Sequence, residues 1–150
     1  MEDIELHQKH IAQIFSLLTD VKKTFDTAPE KLDTAELPAQ FTFTGTADST
    51  DEFGESEDYV ARIYRIQFAV IPTGQATPTR REQLCRDLLE KARKHLKKYP
   101  SLKQCDRVFK AEVIGDSGVV VLPEFGMAFV GFEIRLRVTY ADVITIENQE

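Results

Sequence analysis

The clearest pattern in the chain is an alternation of apolar and polar residues between Ala128 and Tyr140. Apolar side chains stand at every second position, namely Val130, Phe132, Ile134, Leu136, Val138 and Tyr140. The positions between them carry Gly131, Glu133, Arg135, Arg137 and Thr139. Because successive side chains of a strand point to opposite faces of a sheet, the pattern predicts a strand with one buried face and one charged face. The charged face has no set of catalytic residue types, and we expect it to meet another surface.

Three segments upstream also show strand patterns. The predicted strands span Gln40–Thr46, Tyr59–Ile71 and Val108–Ile114. In the longest of them most apolar residues share one face, whereas Arg65 and Gln67 lie on the other. This arrangement again predicts a sheet that is covered on one face and polar on the other.

Two segments, residues 3–22 and 78–98, have apolar residues at helical spacing. Thr77 before Pro78 fits a helix cap followed by proline at the first helical position, and Pro100 ends the second helix. The order of elements predicts one α+β domain over residues 1–150. We expect a mostly antiparallel sheet of four to five strands with the two main helices packed on one face.

Two polar or terminal segments are expected to be flexible. The first is an acidic loop over residues 47–58, which is either a solvated surface or a docking element. Its candidate docking residues are Asp48, Asp51, Glu52, Glu55 and Glu57. The second is the C-terminal tail, residues 141–150.

A short apolar run beside the turn at Gly115–Gly118 is unusual. Residues 119–122 form either a strand buried on both faces or an exposed apolar edge that needs a partner. The second alternative makes this region a candidate subunit interface. Its candidate residues are Val119, Val120, Val121, Leu122 and Phe125.

The second predicted helix is strongly basic, which raises the alternative of a small nucleic-acid-binding module that uses residues 78–98. Acidic residues precede basic ones by four positions at Glu82–Arg86, Asp87–Lys91 and Glu90–Lys94. Such pairs stabilise a solvated helix face. We therefore interpret the basic residues as a solvent-facing surface.

Composition narrows the function classes further. The net charge of −6 disfavours broad nucleic-acid binding, and no apolar run is long enough to span a membrane. The charged start lacks the apolar core of a signal peptide. Cys85 and Cys105 are interpreted as packed thiols, His7 and His10 as a surface pair, and His95 as solvent-facing. Without a recognisable catalytic, phosphate-binding or metal-binding motif, we expect no enzyme activity, no cofactor and no metal site.

Three stretches carry a resemblance to a known family. They are YVARIYRIQFAV at residues 59–70, the helix at residues 80–98 that closes on YPSL, and FVGFEIRLRVTY at residues 129–140. Together they resemble the tail terminator, or tail completion, proteins of long-tailed bacteriophages and related prophages. The family's order of elements is followed over roughly residues 3–142.

The resemblance implies a structural virion protein that is assembled in the host cytoplasm. Such a subunit forms a homo-oligomeric ring, commonly a hexamer, that caps the tail tube and joins it to the head connector. The implied partners are the chain itself, the tail-tube protein and the connector or neck protein, with no membrane and with DNA contact only through the ring lumen. Another structural subunit of the neck or tail tube is the alternative within the same class. No functional residue is implied by motif.

Overall fold

The computed structural model describes residues 2–50 and 58–142. The helices are α1 (Asp3–Ser16), α2 (Pro78–Lys97) and a short α3 (Glu124–Met127), with a 3-10 helix at Thr34–Glu36. The strands are β1 (Lys23–Thr24), β2 (Ala39–Thr50), β3 (Asp58–Pro72), β4 (Val108–Asp116), β5 (Val120–Val121) and β6 (Phe129–Asp142). The predicted α+β class is confirmed.

The strands form one sheet in the order β1-β2-β3-β6-β4, and β5 pairs with β6 beyond the end of β4. β1 runs parallel to β2, whereas the other pairs are antiparallel, so the sheet is mixed and not mostly antiparallel. Over the described residues the sheet has six strands, where four to five were expected. The difference arises because β1 and β5 have two residues each, too few for a periodic pattern.

Both long helices pack on the same face of the sheet. The even-numbered residues of β3 and β6 point toward them and pair across the strands, as Phe68 does with Phe132. The Phe68 ring stacks on Phe132 with centroids 4.7 Å apart and meets the edge of Phe15 from α1 at 4.9 Å. α2 buries Cys85 and Leu88 in this core, on the face that its sequence pattern predicts.

A second apolar cluster covers part of the opposite face. Its buried members are Phe41, Ala69, Leu122 and Phe129. Partly buried apolar residues from the segments 25–37 and 120–125 pack against them. The sheet is therefore covered on both faces near this cluster and on one face elsewhere.

The first helix is shorter than predicted. It ends at Ser16 and not near residue 22, because Leu17 and Leu18 donate to the carbonyls of Ile14 and Phe15, three residues back. Such bonds tighten and close the last turn. Val21 still reaches the core from the following turn, which explains why the apolar spacing continues past the helix.

Part of each predicted flexible segment belongs to a strand. β2 continues through Thr50 past a bulge between Thr44 and Ala47, and β3 begins at Asp58, so residues 47–50 and 58 belong to strands. β6 extends to Asp142 because it pairs with Asp58. Cross-strand pairing of the backbone overrides the polar composition at these positions. Residues 51–57 and 143–150 lie outside the described residues.

Candidate interaction surface

The half of the sheet that the second cluster leaves uncovered carries a set of charged side chains opposite the helices. We call this the charged face; its residues are Asp48, Arg65, Lys110, Glu112, Glu133, Arg135 and Arg137. The strand register brings them together from β2, β3, β4 and β6. The alternation in β6 and the polar positions of β3 predicted this face correctly.

Ion pairs organise the charged face. Arg65 Nε lies 2.8 Å from Glu133 Oε1, and Gln67 Nε2 donates to the same oxygen at 3.0 Å. Arg137 NH2 lies 2.9 Å from Glu112 Oε1, and this hydrogen bond lowers the pKa of the Glu112 carboxyl. Because the two arginine side chains are 43% and 44% exposed, solvent screens the pairs and each contributes little to stability. They fix the positions of charges that another surface can meet.

Part of this surface is an open depression that crosses β2, β3, β6 and β4. It is lined by Asp48, Ala61, Ile63, Lys110, Glu112, Arg137 and Thr139. Small-molecule sites are usually enclosed and mostly apolar with a few convergent polar groups. An open depression with interleaved charges of both signs instead favours contact with a macromolecule.

The candidate residues of the subunit interface differ in burial: some lie in the core and others at the surface. Leu122 is only 1% exposed, and the Phe125 ring meets the edges of Phe41 at 5.6 Å and Phe129 at 5.9 Å. The expectation that Leu122 contacts a neighbour is therefore wrong for the folded chain. Val119 and Val120 are partly buried, each against one of the two apolar clusters.

Val121 is 40% exposed and is the most accessible of the five candidate interface residues, while a subunit contact by the partly buried Val119, Val120 and Phe125 stays a prediction. The adjacent residues Val120 and Leu122 pack in the second apolar cluster, and the alternation of side chains turns Val121 to solvent. Met127, which is 60% exposed, adds a second apolar side chain in the same segment of the chain.

The structure places one of the five candidate docking residues. Asp48 lies on β2, opposite Ala61, and contributes to the charged face. It is thus part of a strand and not of a loop. Asp51, Glu52, Glu55 and Glu57 lie outside the described residues.

Some basic residues of α2 form ion pairs with other elements of the chain. Lys91 Nζ lies 2.8 Å from Asp20 Oδ2, and Arg93 NH1 lies 2.5 Å from Asp116 Oδ2. Lys91 was expected to pair with Asp87 along the helix, but its hydrogen-bonded partner is Asp20, on the turn that follows α1. Two of the basic residues therefore hold α2 to the rest of the fold.

The histidines differ most from expectation. His7 is completely buried, and His95 is 7% exposed with its Nε2 2.6 Å from the carbonyl oxygen of Ile14. Both predictions of surface histidines were wrong. The sequence contained a signal, since His7 stands between Ile4 and Ile11 at the spacing of the buried stripe of α1.

Within the described ranges, no group of three or more His, Cys, Asp or Glu side chains is placed to share a metal ion. Cys85 and Cys105 are both free and buried, and burial raises the pKa of each thiol to about 11.

No helix among the described residues has the length and apolar character needed to cross a membrane.

No protein-family model and no curated protein sequence matches this chain.

Proposed function

We propose that this chain is a structural subunit of a bacteriophage tail. In this role it is a tail terminator that forms a homo-oligomeric ring, caps the tail tube and joins it to the head connector. The observation that carries the proposal is the charged face, where ion-paired side chains of both signs stand on an uncovered part of a rigid sheet. Such surfaces fix the register and orientation of a protein partner.

The edges of the sheet support the same proposal. Within the described ranges, β4 has a strand neighbour on one side only, and so does β2 beyond Gln40. Unpaired strand edges are places where another chain can add. Two open edges on opposite sides of a sheet suit head-to-tail association, which closes into a ring when the rotation permits.

The proposal includes a defined set of partners. They are further copies of the chain, at least when it is docked on a tail tube, together with the tail-tube protein and the connector. The site of action is the virion, and neither catalysis nor a cofactor has a part in it. A different subunit of the neck or the tail tube would use the same surfaces and would differ in its position on the particle.

The test is assembly of tail tubes from tube subunits of the same phage, with and without this chain. We expect a ring at one end of each tube in electron micrographs, and tubes that stop growing once the ring is present. Sedimentation of the free chain gives its stoichiometry. Monomers that leave tube growth and tube ends unchanged would refute the proposal.

A further inference from the structure

Three arginines form a compact group within the charged face. Arg65 on β3 and Arg135 on β6 are direct register partners, and Arg137 follows two positions along β6 on the same side. Arg135 is exposed, and the side chains of Arg65 and Arg137 are 43% and 44% exposed. We call these three residues the arginine group.

The cations of this group are only partly neutralised by the fold. Arg65 pairs with Glu133 and Arg137 pairs with Glu112. Arg135 donates to the carbonyl oxygen of Asp116 at 3.3 Å, and it forms no ion pair with any residue in the described part of the chain. Like charges directly opposite each other on neighbouring strands destabilise a sheet. An anionic partner over Arg65 and Arg135 would remove this repulsion.

We infer that the arginine group binds the acidic segment, residues 51–57, of a second copy of the chain. That segment, DEFGESE, has four carboxylates and no basic residue. The chain as a whole carries a net charge of −6, so two copies repel each other unless a cationic surface of one meets an anionic segment of the other. The arginine group and the acidic segment are complementary in this sense.

Distance favours a second copy for the pair Arg65 and Arg135. Thr50, the last described residue of β2, pairs with Tyr59; Arg137 lies opposite Ile63, four positions further along β3, whereas Arg135 lies opposite Arg65, six positions further. At about 3.3 Å per residue these separations are roughly 13 Å and roughly 20 Å. Half the contour length of a seven-residue connection is about 13 Å, which is enough to reach Arg137 but falls short of Arg65 and Arg135. A neighbouring copy that approaches head to tail has no such limit.

The inference deepens the proposed function and rests on it, because a ring needs one contact that repeats between successive copies. It assigns the acidic segment to the contact between subunits and not to the adjoining protein of the stack. The contact can nevertheless be measured on the free chain, without tubes.

The experiment reverses charge on each side of the contact. Arg135→Glu changes the arginine group while the Arg65 and Arg137 ion pairs remain, and the double variant Glu52→Lys, Glu55→Lys changes the segment. Arg86→Glu, on the exposed side of α2, is the matched control. Thermal melts establish that each variant is folded. Sedimentation velocity measures self-association at about 25 mM and about 300 mM salt, because exposed charges are screened at the higher concentration.

We expect each charge reversal alone to weaken self-association about tenfold or more at low salt, and the control to leave it unchanged. An equimolar mixture of the two should recover association, because each copy then offers the charge that the other lacks. The triple variant, which carries all three changes, should recover it alone. High salt should reduce the differences.

Several outcomes overturn the inference. They are a wild-type chain that stays monomeric at low salt, an Arg135→Glu variant that associates normally, and a mixture that does not recover. If charge reversal has no effect and the chain still caps tubes, the inference fails and the proposed function stands. If the charges act as expected and tubes remain uncapped, the contact stands and the proposed function fails.

Discussion

The Nδ1 atom of His7 lies 2.6 Å from the hydroxyl oxygen of Tyr64, and neither side chain is exposed to solvent. This hydrogen bond joins α1 to the centre of β3. The imidazole also meets the Tyr140 ring edge-on at 4.5 Å. Its Nε2 atom has no hydrogen-bond partner among the described residues. The site therefore suits a neutral imidazole and opposes a charged one.

Stability should consequently fall in mild acid. Burial is the main cause that lowers the pKa of His7 to about 4, while the carboxylate of Asp3 opposes the shift. Above the ordinary pKa of 6.5 both states are neutral. Between that value and about 4 the unfolded chain binds a proton that the folded chain does not. We expect the free energy of unfolding to drop by about 2 kcal/mol between pH 7 and pH 5 from this group.

Urea denaturation at the two pH values measures this effect. His7→Gln keeps a polar side chain near Tyr64 but cannot titrate, so it should lose this part of the pH dependence. His10→Gln, on the same helix, is the control and should keep it. An identical pH dependence in wild type and His7→Gln would show that His7 is not its source.

The hydrogen bond itself should contribute to stability. Tyr64→Phe removes the hydroxyl and leaves both ring nitrogens of His7 without a partner among the described residues. We expect a loss of about 1–2 kcal/mol at pH 7, measured by urea denaturation. Tyr140→Phe is the comparison, because its hydroxyl accepts a longer bond, 3.3 Å, from Arg62 Nε. Equal losses in the two variants would contradict a special role for the His7 contact.

The close approach of β3 and β6 requires a glycine at position 131. A Cβ atom at this position would lie 1.7 Å from the carbonyl oxygen of Phe68, beside the bulge between Ala69 and Ile71. Gly131→Ala should therefore destabilise the fold by about 3 kcal/mol or more, since β3 and β6 must shift. Gly74→Ala has no atom within 4 Å of the new Cβ and should leave the melting temperature nearly unchanged. A stable Gly131→Ala variant would contradict the observed strand spacing.

Two substitutions in the segment around β5 should affect folding and assembly separately. Leu122→Ala removes a fully buried side chain and should cost about 2–5 kcal/mol of stability. Val121→Ser changes an exposed side chain and should leave the melting temperature nearly unchanged while it weakens self-association. Thermal melts and sedimentation velocity together distinguish the two effects. Normal association of Val121→Ser would remove Val121 from the subunit contact.

The two long helices differ in how well the sequence predicts their ends. The cap of α2 follows from its local sequence, because Thr77 accepts a hydrogen bond from the Arg80 N–H and Pro78 takes the first helical turn. The end of α1 did not follow from its sequence, since Leu18 and Val21 are buried or partly buried whether the backbone is helical or turned. Burial and helix are separate properties that one periodic pattern cannot distinguish.

The candidate site shows the same division. The alternation in β6 assigned Arg135 and Arg137 to a charged face, because side-chain direction in a strand depends only on position along the chain. That Arg65 lies directly opposite Arg135 depends on the register of β3 against β6, which packing of both strands under the helices sets. Burial of Leu122 likewise depends on Phe41, which is distant in sequence, together with the nearby Phe129.

The sequence by itself determined the α+β class, the buried faces of β3, β6 and α2, and the charge of the uncovered face. These properties depend on local periodicity and propensity. Only the tertiary structure decided the burial of His7 and His95, the second apolar cluster and the pairing of Arg65 with Arg135. Each of these depends on contacts between residues far apart in the chain, whose partners and distances are set when the helices and strands pack together.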